Sequence, residues 1–187
     1  MPEYTKSQLR SKILLQRQSL DQREREVKDQ AICRHLNEFI QGQPQIRHIF
    51  AYCPFRNEPD LSSLIESLES HYQFGLPVIK SPSKIEYYLW QNHLPLTPNK
   101  FGILEPETTR PLESTSETLV LVPCLATNPN GFRLGYGGGY YDRFLSQHPE
   151  LLSLAIVYQQ FSSLSFQEKA HDQKTNFVMT EDGIISP

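Results

Sequence analysis

Four short apolar runs, separated by stretches with helical periodicity, constrain the fold of this chain more than any other feature. They form two strand, helix, strand successions, and a glycine-rich segment lies inside the second one. Short apolar runs that alternate with helices are typical of a mostly parallel sheet that is buried on both faces. The predicted strands are residues 48–52, 74–79, 119–122 and 152–158, and the predicted helices between them are residues 61–68 and 140–146.

A pair of helices is predicted before the first strand. Thr5 and Gln8 have the spacing of a capping box, so the first helix begins near Lys6. Residues 19–22 repeat this start signal, and the second helix ends near Gly42. We therefore expect an α/β fold with three layers, α/β/α, built on an open, mostly parallel, Rossmann-like sheet with an N-terminal helical pair. The apolar stripe of the second helix consists of Val27, Ala31, Leu36, Phe39 and Ile40.

Residues 80–118, between the two successions, contain few strand signals. Residues 87–90 are the one strong strand candidate, and prolines interrupt the rest of the stretch, which predicts an irregular or edge-like segment. The aromatic residues Tyr87, Tyr88 and Trp90 are more typical of packing in a sheet than of stacking on a ligand ring.

The composition favours a globular protein with a small-molecule partner. The chain has 187 residues, a net charge of -3 and 38% hydrophobic residues. A chain of this length can bury a core, and we expect a single domain over residues 1–187, as a monomer or a weak dimer. The charge balance argues against a nucleic-acid partner, because coating nucleic acid needs a basic stripe that neutralises phosphates.

The cysteines and the N-terminus indicate the compartment. Cys33, Cys53 and Cys124 are scattered and form no C-x-x-C pair, so the sequence suggests neither a disulfide framework nor a zinc site. Residues 1–6 carry charges and no apolar run, which predicts neither a signal peptide nor a membrane span. Together these features predict a cytoplasmic protein that does not associate with membranes.

Residues 133–142, with the sequence RLGYGGGYYD, indicate chemistry most strongly. Glycines let the backbone turn sharply and expose successive N–H groups to an anion, and a helix that begins near Tyr140 adds the positive end of its dipole. Arg133 can supply a bidentate fork to phosphate oxygens, and Asp142 can ligate magnesium beside them. The segment matches neither a P-loop nor a dinucleotide fingerprint. It predicts a nucleotide phosphate site of another kind; the alternative is a tight turn with Tyr140 and Tyr141 packed in the core.

Residues 133–145, after the Leu-Val-Pro of residues 121–123, resemble the signature of the 5-formyltetrahydrofolate cyclo-ligase family. The resemblance spans nearly the whole chain, because further motifs of the family follow in the same order. These motifs are Lys6-x-x-Leu9-Arg10 in the first helix, Tyr52 with Glu58 after the first strand, residues 101–106, and His171-Asp172 near the end.

The resemblance implies an enzyme that uses ATP and Mg2+ to convert 5-formyltetrahydrofolate, with or without a polyglutamate tail, into 5,10-methenyltetrahydrofolate, ADP and phosphate. Phosphorylation of the formyl oxygen would activate the formyl carbon for ring closure by N10, a reaction that depends on positioning and charge neutralisation. The family match makes Arg133 and Tyr140 catalytic and makes Asp142 and Asp172 metal ligands. It assigns nucleotide binding to Lys6, Arg10, Arg133, Leu134, Gly135, Tyr136, Gly137, Gly138, Gly139, Tyr140 and Tyr141. It assigns folate binding to Cys53, Glu58, Tyr136, Gly137, Gly138, Gly139 and Tyr140.

Some of these residues have a structural alternative. The sequence departs from the family pattern after Glu58, where Pro59 and Asp60 replace an apolar residue and a threonine, so Asp60 is equally a candidate helix N-cap. Cys53 fits a pocket wall or the core. Glu105 fits a catalytic acid or a buried structural acid.

Two other functions remain as hypotheses from the sequence. One is a non-catalytic sensor of a nucleotide or phosphosugar, since similar α/β domains bind phosphorylated ligands without turnover. The other is an RNA-associated module that uses Lys6, Arg10 and Arg17, against which the net charge argues. Magnesium at Asp142 and Asp172 distinguishes the enzyme from the sensor, because phosphoryl transfer calls for a placed metal ion.

Overall fold

The computed structural model describes residues 4–108 and 110–187, so the start of the charged N-terminal segment, residues 1–3, lies outside the described part. A short 3-10 helix, Gln159–Phe161, accompanies the main elements. In chain order these are α1 (Lys6–Gln18), α2 (Gln22–Gln41), β1 (His48–Phe50), α3 (Ser62–Leu68), β2 (Gln73–Ser81), β3 (Lys84–Trp90), β4 (Leu96–Pro98), β5 (Leu104–Pro106), β6 (Thr118–Pro123), β7 (Ala126–Thr127), β8 (Arg133–Leu134), α4 (Tyr140–Gln147), β9 (Leu152–Ile156), β10 (Phe177–Thr180) and β11 (Gly183–Ile185).

A seven-stranded sheet has the order β11, β10, β9, β6, β1, β2, β3. Strands β10, β9, β6, β1 and β2 run parallel, whereas β11 and β3 pair antiparallel at the two edges. This confirms the predicted open, mostly parallel sheet. The chain passes from β1 to β2 in one direction and from β6 to β9 in the other. Strands β1 and β6 therefore flank the topological switch point, outside which ligands bind in such sheets.

Helices cover both faces of the sheet and confirm the predicted three layers. Helices α1, α2 and α3 pack on one face, where Ile13, Leu36 and Leu64 join a core that includes Ile49. Successive strand residues point to opposite faces, so Phe50 belongs to a second core. The second core, under α4, consists of Phe50, Ile85, Tyr87, Val120, Val122, Phe144, Leu145 and Leu151.

Among the helices of the described ranges, none is long and apolar enough to cross a membrane.

The N-terminal helical pair forms as predicted, with two differences in detail. The capping box of α1 is present, since Thr5 and Gln8 each accept the other's backbone N–H. The start signal assigned to residue 19 is wrong: Asp21 is the N-cap of α2, and Ser19 ends α1 as its C-cap. Asp21 caps the helix in place of Ser19 because its carboxylate accepts the N–H groups of Arg23 and Glu24 in the first turn. Val27 is 63% exposed and does not belong to the buried stripe.

The region between the two successions is more regular than the sequence predicts. Strand β3 pairs with β2 along its whole length, and β4 and β5 form a separate hairpin. Tyr87, Tyr88 and Trp90 are buried, which agrees with packing in the sheet. The prolines at 98 and 106 lie in the two short strands of the hairpin, where a missing donor is tolerated because each strand pairs on one side.

Candidate active site

Two loops meet at the switch point. The β1 loop, residues 51–61, connects β1 to α3 and carries Glu58. The glycine loop, residues 135–139, connects β8 to α4. Tyr136 donates its hydroxyl to the carbonyl oxygen of Phe55 at 3.3 Å, and the N–H of Phe55 donates to Oε2 of Glu58 at 3.0 Å. The predicted folate residue Glu58 therefore lies next to the predicted nucleotide residues.

The glycine loop delivers backbone N–H groups to the start of α4. Gly139 is the N-cap of α4 and has a left-handed φ of 66°, which favours glycine. A Cβ on Gly138 would lie 2.7 Å from the ring of Tyr140, so glycine lets this ring lie against the loop. The loop and the first turn of α4 together have the geometry of an anion site.

The two cations predicted on α1 both reach this region. Arg10 Nε donates to the carbonyl oxygen of Gly135 at 2.7 Å, and its guanidinium carbon lies 3.8 Å from the position that a Cβ on Gly137 would take. Lys6 forms an ion pair with Asp172. Helix α1 thus places Arg10 beside the glycine loop and Lys6 beside Asp172, while the contact of either with a nucleotide stays a prediction.

Arg133 directs its guanidinium into the protein. Nη1 donates to the carbonyl oxygen of Gln173 at 2.9 Å, and Nη2 donates to Oδ1 of Asp142 at 2.9 Å. Burial lowers the pKa of Arg133, and Asp142 acts in the opposite direction. Arg133 therefore fastens the first turn of α4 to the segment that contains Asp172, and a direct contact between Arg133 and a phosphate stays a prediction.

The predicted metal ligand Asp142 contacts the residue that follows the other predicted ligand, Asp172. Oδ1 of Asp142 also accepts the N–H of Gln173 at 3.1 Å. Burial acts to raise the pKa of Asp172, but hydrogen bonds from Lys6 and from the N–H of Lys169 outweigh it and lower the pKa below its ordinary 3.8. Asp172 is therefore ionised at neutral pH. Within residues 4–108 and 110–187, no three His, Cys, Asp or Glu side chains gather as a metal-binding set.

Glu58 is buried directly after two residues with a left-handed backbone. Arg56 and Asn57 have φ values of 50° and 59°; asparagine adopts this conformation readily, whereas it is uncommon for arginine and clusters at functional sites. Glu58 is 4% exposed, and its Oε1 is buried without a hydrogen-bond partner in the described residues. Burial raises the pKa of Glu58 from 4.5 to about 7, against the opposing charge of Arg17.

Arg17 is a further residue of the site that the sequence pattern does not assign there. It is 1% exposed and donates to the carbonyl oxygens of Phe55, Arg56 and Cys124 and to the hydroxyl of Tyr136. Its spacing supplies a signal: position 17 lies seven residues after Arg10, on the same face of α1.

The other predicted site residues are partly or fully packed. Cys53 is buried in the main core, and burial raises the pKa of its thiol to about 12, so the thiol stays protonated. Leu134 is buried in the same core. Tyr140 and Tyr141 are half-buried against the second core, as the core interpretation expects. Their contacts with ligands stay predictions. Asp60 accepts the N–H of Ser62 at 2.8 Å and supports the start of α3, next to the N-cap position.

A recess of about 370 Å³ lies at the other side of the glycine loop. Arg143 connects the two, because it donates to the carbonyl oxygen of Gly138 at 2.6 Å and to that of Pro82 at 3.3 Å. Glu105 accepts from Asn99 at 2.8 Å and from the N–H of Ile79 at 2.9 Å, so it links the β4–β5 hairpin to β2, which supports the structural alternative for this acid. The recess is lined by Ile79, Lys80, Ser81, Pro82, Asn99, Lys100 and Phe101.

The fold and the site define an α/β protein of the Rossmann-like kind, with a glycine-rich loop at a helix start and a buried carboxylate at its switch point. The sequence model of the 5-formyltetrahydrofolate cyclo-ligase family matches residues 2–181. The chain belongs to this family of enzymes, which confirms the resemblance inferred from the motifs.

Named relatives and solved structures agree with this assignment. The 5-formyltetrahydrofolate cyclo-ligase of Haemophilus influenzae is 32% identical over 164 residues, which cover 82% of this chain and 86% of that protein. The enzyme of the same name from Mycolicibacterium smegmatis is 31% identical over an alignment of 199 residues, which covers 100% of this chain and 99% of that protein. The NMR structure of Aquifex aeolicus 5,10-methenyltetrahydrofolate synthetase is similar with a TM-score of 0.83, at 26% identity over 97% of this chain and 92% of that one. The structure of the 5,10-methenyltetrahydrofolate synthetase from Mycoplasma pneumoniae is similar with a TM-score of 0.80, at 25% identity over 95% of this chain and 99% of that one.

Proposed function

We propose that this protein catalyses the ATP- and Mg2+-dependent conversion of 5-formyltetrahydrofolate to 5,10-methenyltetrahydrofolate, with release of ADP and phosphate. Membership of the cyclo-ligase family supports this reaction. The observation that carries the proposal is the contact between the two loops, in which Tyr136 bonds to Phe55 and Phe55 bonds to Glu58. A phosphate-binding loop in contact with a buried carboxylate suits phosphoryl transfer from a nucleotide to a folate, whose pterin ring offers N–H donors to the carboxylate.

The phosphates of ATP lie, in this proposal, on the N–H groups of the glycine loop and the first turn of α4. Lys6 and Arg10 flank them as cations that neutralise phosphate charge, which is the main task in phosphoryl transfer. Arg133 and Tyr140 are the proposed catalytic side chains at the start of α4. The buried bonds of Arg133 to Asp142 and Gln173 support a fixed geometry there.

Asp142 and Asp172 fit the ligands of a magnesium ion. Both hydrogen bonds of Asp142 use Oδ1, and its Oδ2 accepts none from residues 4–108 and 110–187. Asp172, which precedes the Gln173 that Asp142 contacts, is ionised at neutral pH. Magnesium usually takes one or two carboxylates together with substrate phosphates and water, so two aspartates are enough. When bound, the ion would neutralise charge that develops on the transferred phosphoryl group.

The folate lies, in this proposal, against the β1 loop. A buried acceptor without a partner costs free energy, and the N–H donors of a pterin ring would satisfy Oε1 of Glu58. Because the pKa of Glu58 is about 7, both of its protonation states are accessible near neutral pH. Tyr136, which belongs to the glycine loop and contacts the β1 loop, would touch both substrates. Cys53 forms part of the pocket wall.

The proposed chemistry has two steps. The formyl oxygen attacks the γ-phosphorus of ATP, the bond to the β-phosphate oxygen breaks, and ADP leaves. N10 then attacks the activated formyl carbon, the carbon–oxygen bond breaks with release of phosphate, and N10 loses its proton. Holding the formyl oxygen in line with the γ-phosphate converts an encounter of two substrates into an intramolecular step.

The proposal also covers the domain organisation, cellular location, partners and oligomeric state of the enzyme. We assign residues 1–187 to a single domain, which the family match over residues 2–181 supports. We propose a cytoplasmic location, a folate partner with or without a polyglutamate tail, and a monomer or weak dimer that binds neither nucleic acid nor membranes.

The reaction is testable with purified protein. Mixing it with ATP, magnesium and 5-formyltetrahydrofolate should raise the near-ultraviolet absorbance of the methenyl product. Omitting ATP, or chelating magnesium with EDTA, should abolish the rise. Folded protein that binds ATP but forms no product would contradict the proposal and favour a nucleotide sensor.

A further inference from the structure

Arg17 lies at the seam between the β1 loop and the glycine loop. Its Nε donates to the carbonyl oxygen of Arg56 at 2.9 Å, and Nη1 donates to that of Cys124 at 3.3 Å. Nη2 donates to the carbonyl oxygen of Phe55 at 3.3 Å and to the hydroxyl of Tyr136. One guanidinium thus binds the β1 loop, the end of β6 and the glycine loop together.

The burial of this charge calls for an explanation. Burying a guanidinium costs free energy unless hydrogen bonds and an opposite charge compensate for it, and an apolar side chain often serves stability as well or better. One turn earlier on the same face of α1, the chain has Ile13, which is buried in the main core. Arg17 is compensated by its carbonyl partners and by the nearby charge of Glu58. Its presence therefore indicates a role beyond filling the core.

The contacts of Arg17 reach both substrate sides of the proposed site. The carbonyl oxygens of Phe55 and Arg56 belong to the residues that lead into Glu58. Tyr136 belongs to the glycine loop, and its hydroxyl in turn donates to Phe55. On the same helix, Arg10 holds the carbonyl oxygen of Gly135. The face of α1 therefore sets the relative position of the two loops.

We infer that Arg17 is a positioning residue, which holds the β1 loop and the glycine loop in the register that brings the folate and the nucleotide together. The inference rests on the proposed function, and it adds a role that neither the family motifs nor the predicted site residues contain. Charge and shape contribute separately. The positive charge favours the ionised form of Glu58, and the planar fork fixes the loop carbonyls.

A first experiment uses the ligand-free protein, so its outcome does not depend on the proposed reaction. Amide hydrogen exchange is measured for wild type, Arg17→Met, Arg17→Lys and the control Lys12→Met, which removes an exposed charge from the same helix. Arg17→Met should speed exchange in residues 55–58 and 135–139 together, and Lys12→Met should not. Unchanged exchange in either loop, in folded Arg17→Met, would overturn the inference.

The titration of Glu58 separates charge from shape. Its carboxyl carbon is followed by NMR against pH, with Glu58→Gln for assignment. Arg17→Met should raise the pKa of Glu58 above about 7, while Arg17→Lys should leave it near the wild-type value because the charge is kept. An equal pKa in wild type and Arg17→Met would contradict the inference. The groups that act on Glu58, or on which its charge acts, are Arg17, Tyr52, Cys124, Tyr136 and Tyr141.

Steady-state kinetics then test the positioning role in the working enzyme. Arg17→Lys should lose about tenfold to a hundredfold in kcat/KM for the folate, the scale of buried hydrogen bonds to a charged group. Tyr136→Phe removes the hydroxyl that Arg17 contacts, so the double variant should lose less than the product of the two single losses. Fully multiplicative losses would refute the coupling. If the Arg17 variants fail to fold, Tyr136→Phe alone must still loosen the β1 loop, and normal exchange there would overturn the inference.

Discussion

Glu58→Gln replaces a buried carboxylate by a neutral amide of the same shape, and its effect on the free energy of unfolding follows from the structure. Burial is the main cause that raises the pKa of Glu58 from 4.5 to about 7. The folded protein therefore binds this proton more tightly than the unfolded chain does. The resulting stability is complete below pH 4.5 and is lost as the pH rises through about 7. At about 1.4 kcal/mol per pH unit between the two pKa values, ionised Glu58 costs the folded state about 3 kcal/mol at pH 8.

The variant should therefore gain stability where the wild type loses it. Glu58→Gln is expected to exceed wild type by about 3 kcal/mol at pH 8 and by less than about 1 kcal/mol at pH 5. The amide oxygen can still accept the N–H of Phe55, so the β1 loop keeps this contact. At the same time the variant should bind ATP normally but require more folate or turn over more slowly, because the ionisable acceptor is gone.

Urea unfolding, followed by circular dichroism from pH 5 to pH 8, measures this effect. Glu66→Gln, at an exposed position of α3, is the matched control and should show no such pH dependence. Calorimetry separates folate binding from ATP binding. A stability gain that is the same at pH 5 and pH 8, or a loss at pH 8, would refute the reasoning about burial. Unchanged folate binding and turnover would remove Glu58 from the active site.

Three further predictions concern the phosphate end of the site. Asp142→Asn and Asp172→Asn should each raise the magnesium concentration needed for activity, and the double variant should lose less than the sum of the two free-energy losses, because both act on one ion; additive losses with an unchanged requirement would separate Asp172 from the metal. Gly139→Ala should destabilise the protein by about 1–2 kcal/mol, since alanine is strained at a φ of 66°, and should raise the KM for ATP; wild-type values for both in unfolding and kinetic assays would contradict the loop geometry. Arg133→Ala should destabilise the fold by about 1.5–3 kcal/mol, because Asp142 loses its ion-pair partner and keeps only the N–H of Gln173, and should weaken ATP use, while Arg133→Lys restores only part because the fork is lost; full activity of Arg133→Ala at low ATP would remove Arg133 from the site.

Local signals are sufficient to predict the helices and the central strands. The capping box of Thr5 and Gln8 acts within α1 itself, and residues 119–122 are all apolar because β6 is buried on both faces. Strands β10 and β11 escape prediction because β10 pairs with β9 and β11 pairs with β10, and these strands lie side by side only in the folded sheet. The second helix start is misassigned because Ser19 and Asp21 both carry capping side chains, and only the folded geometry selects one.

The site is predictable in its residue types and less so in its contacts. The glycine loop and Glu58 can be identified from motifs, since glycine flexibility and a post-strand acid have direct physical meanings. Contacts between distant positions cannot, such as Lys6 with Asp172, 166 residues apart. The sequence alone also does not distinguish a buried arginine from an exposed one. Arg17 therefore looks like a solvent-facing charge on an N-terminal helix until the β1 loop is seen to wrap around it.

The most direct test of the proposed reaction measures ADP and 5,10-methenyltetrahydrofolate in the same sample over time. Purified protein is incubated with ATP, magnesium and 5-formyltetrahydrofolate, and both products are quantified by chromatography. Phosphorylation of the formyl oxygen followed by ring closure predicts equal rates of formation of the two products in the steady state, and neither product when the folate is omitted. Two results would contradict the proposal that the two loops form one phosphoryl-transfer site. One is methenyl product without ADP, and the other is ADP release at the same rate with and without the folate.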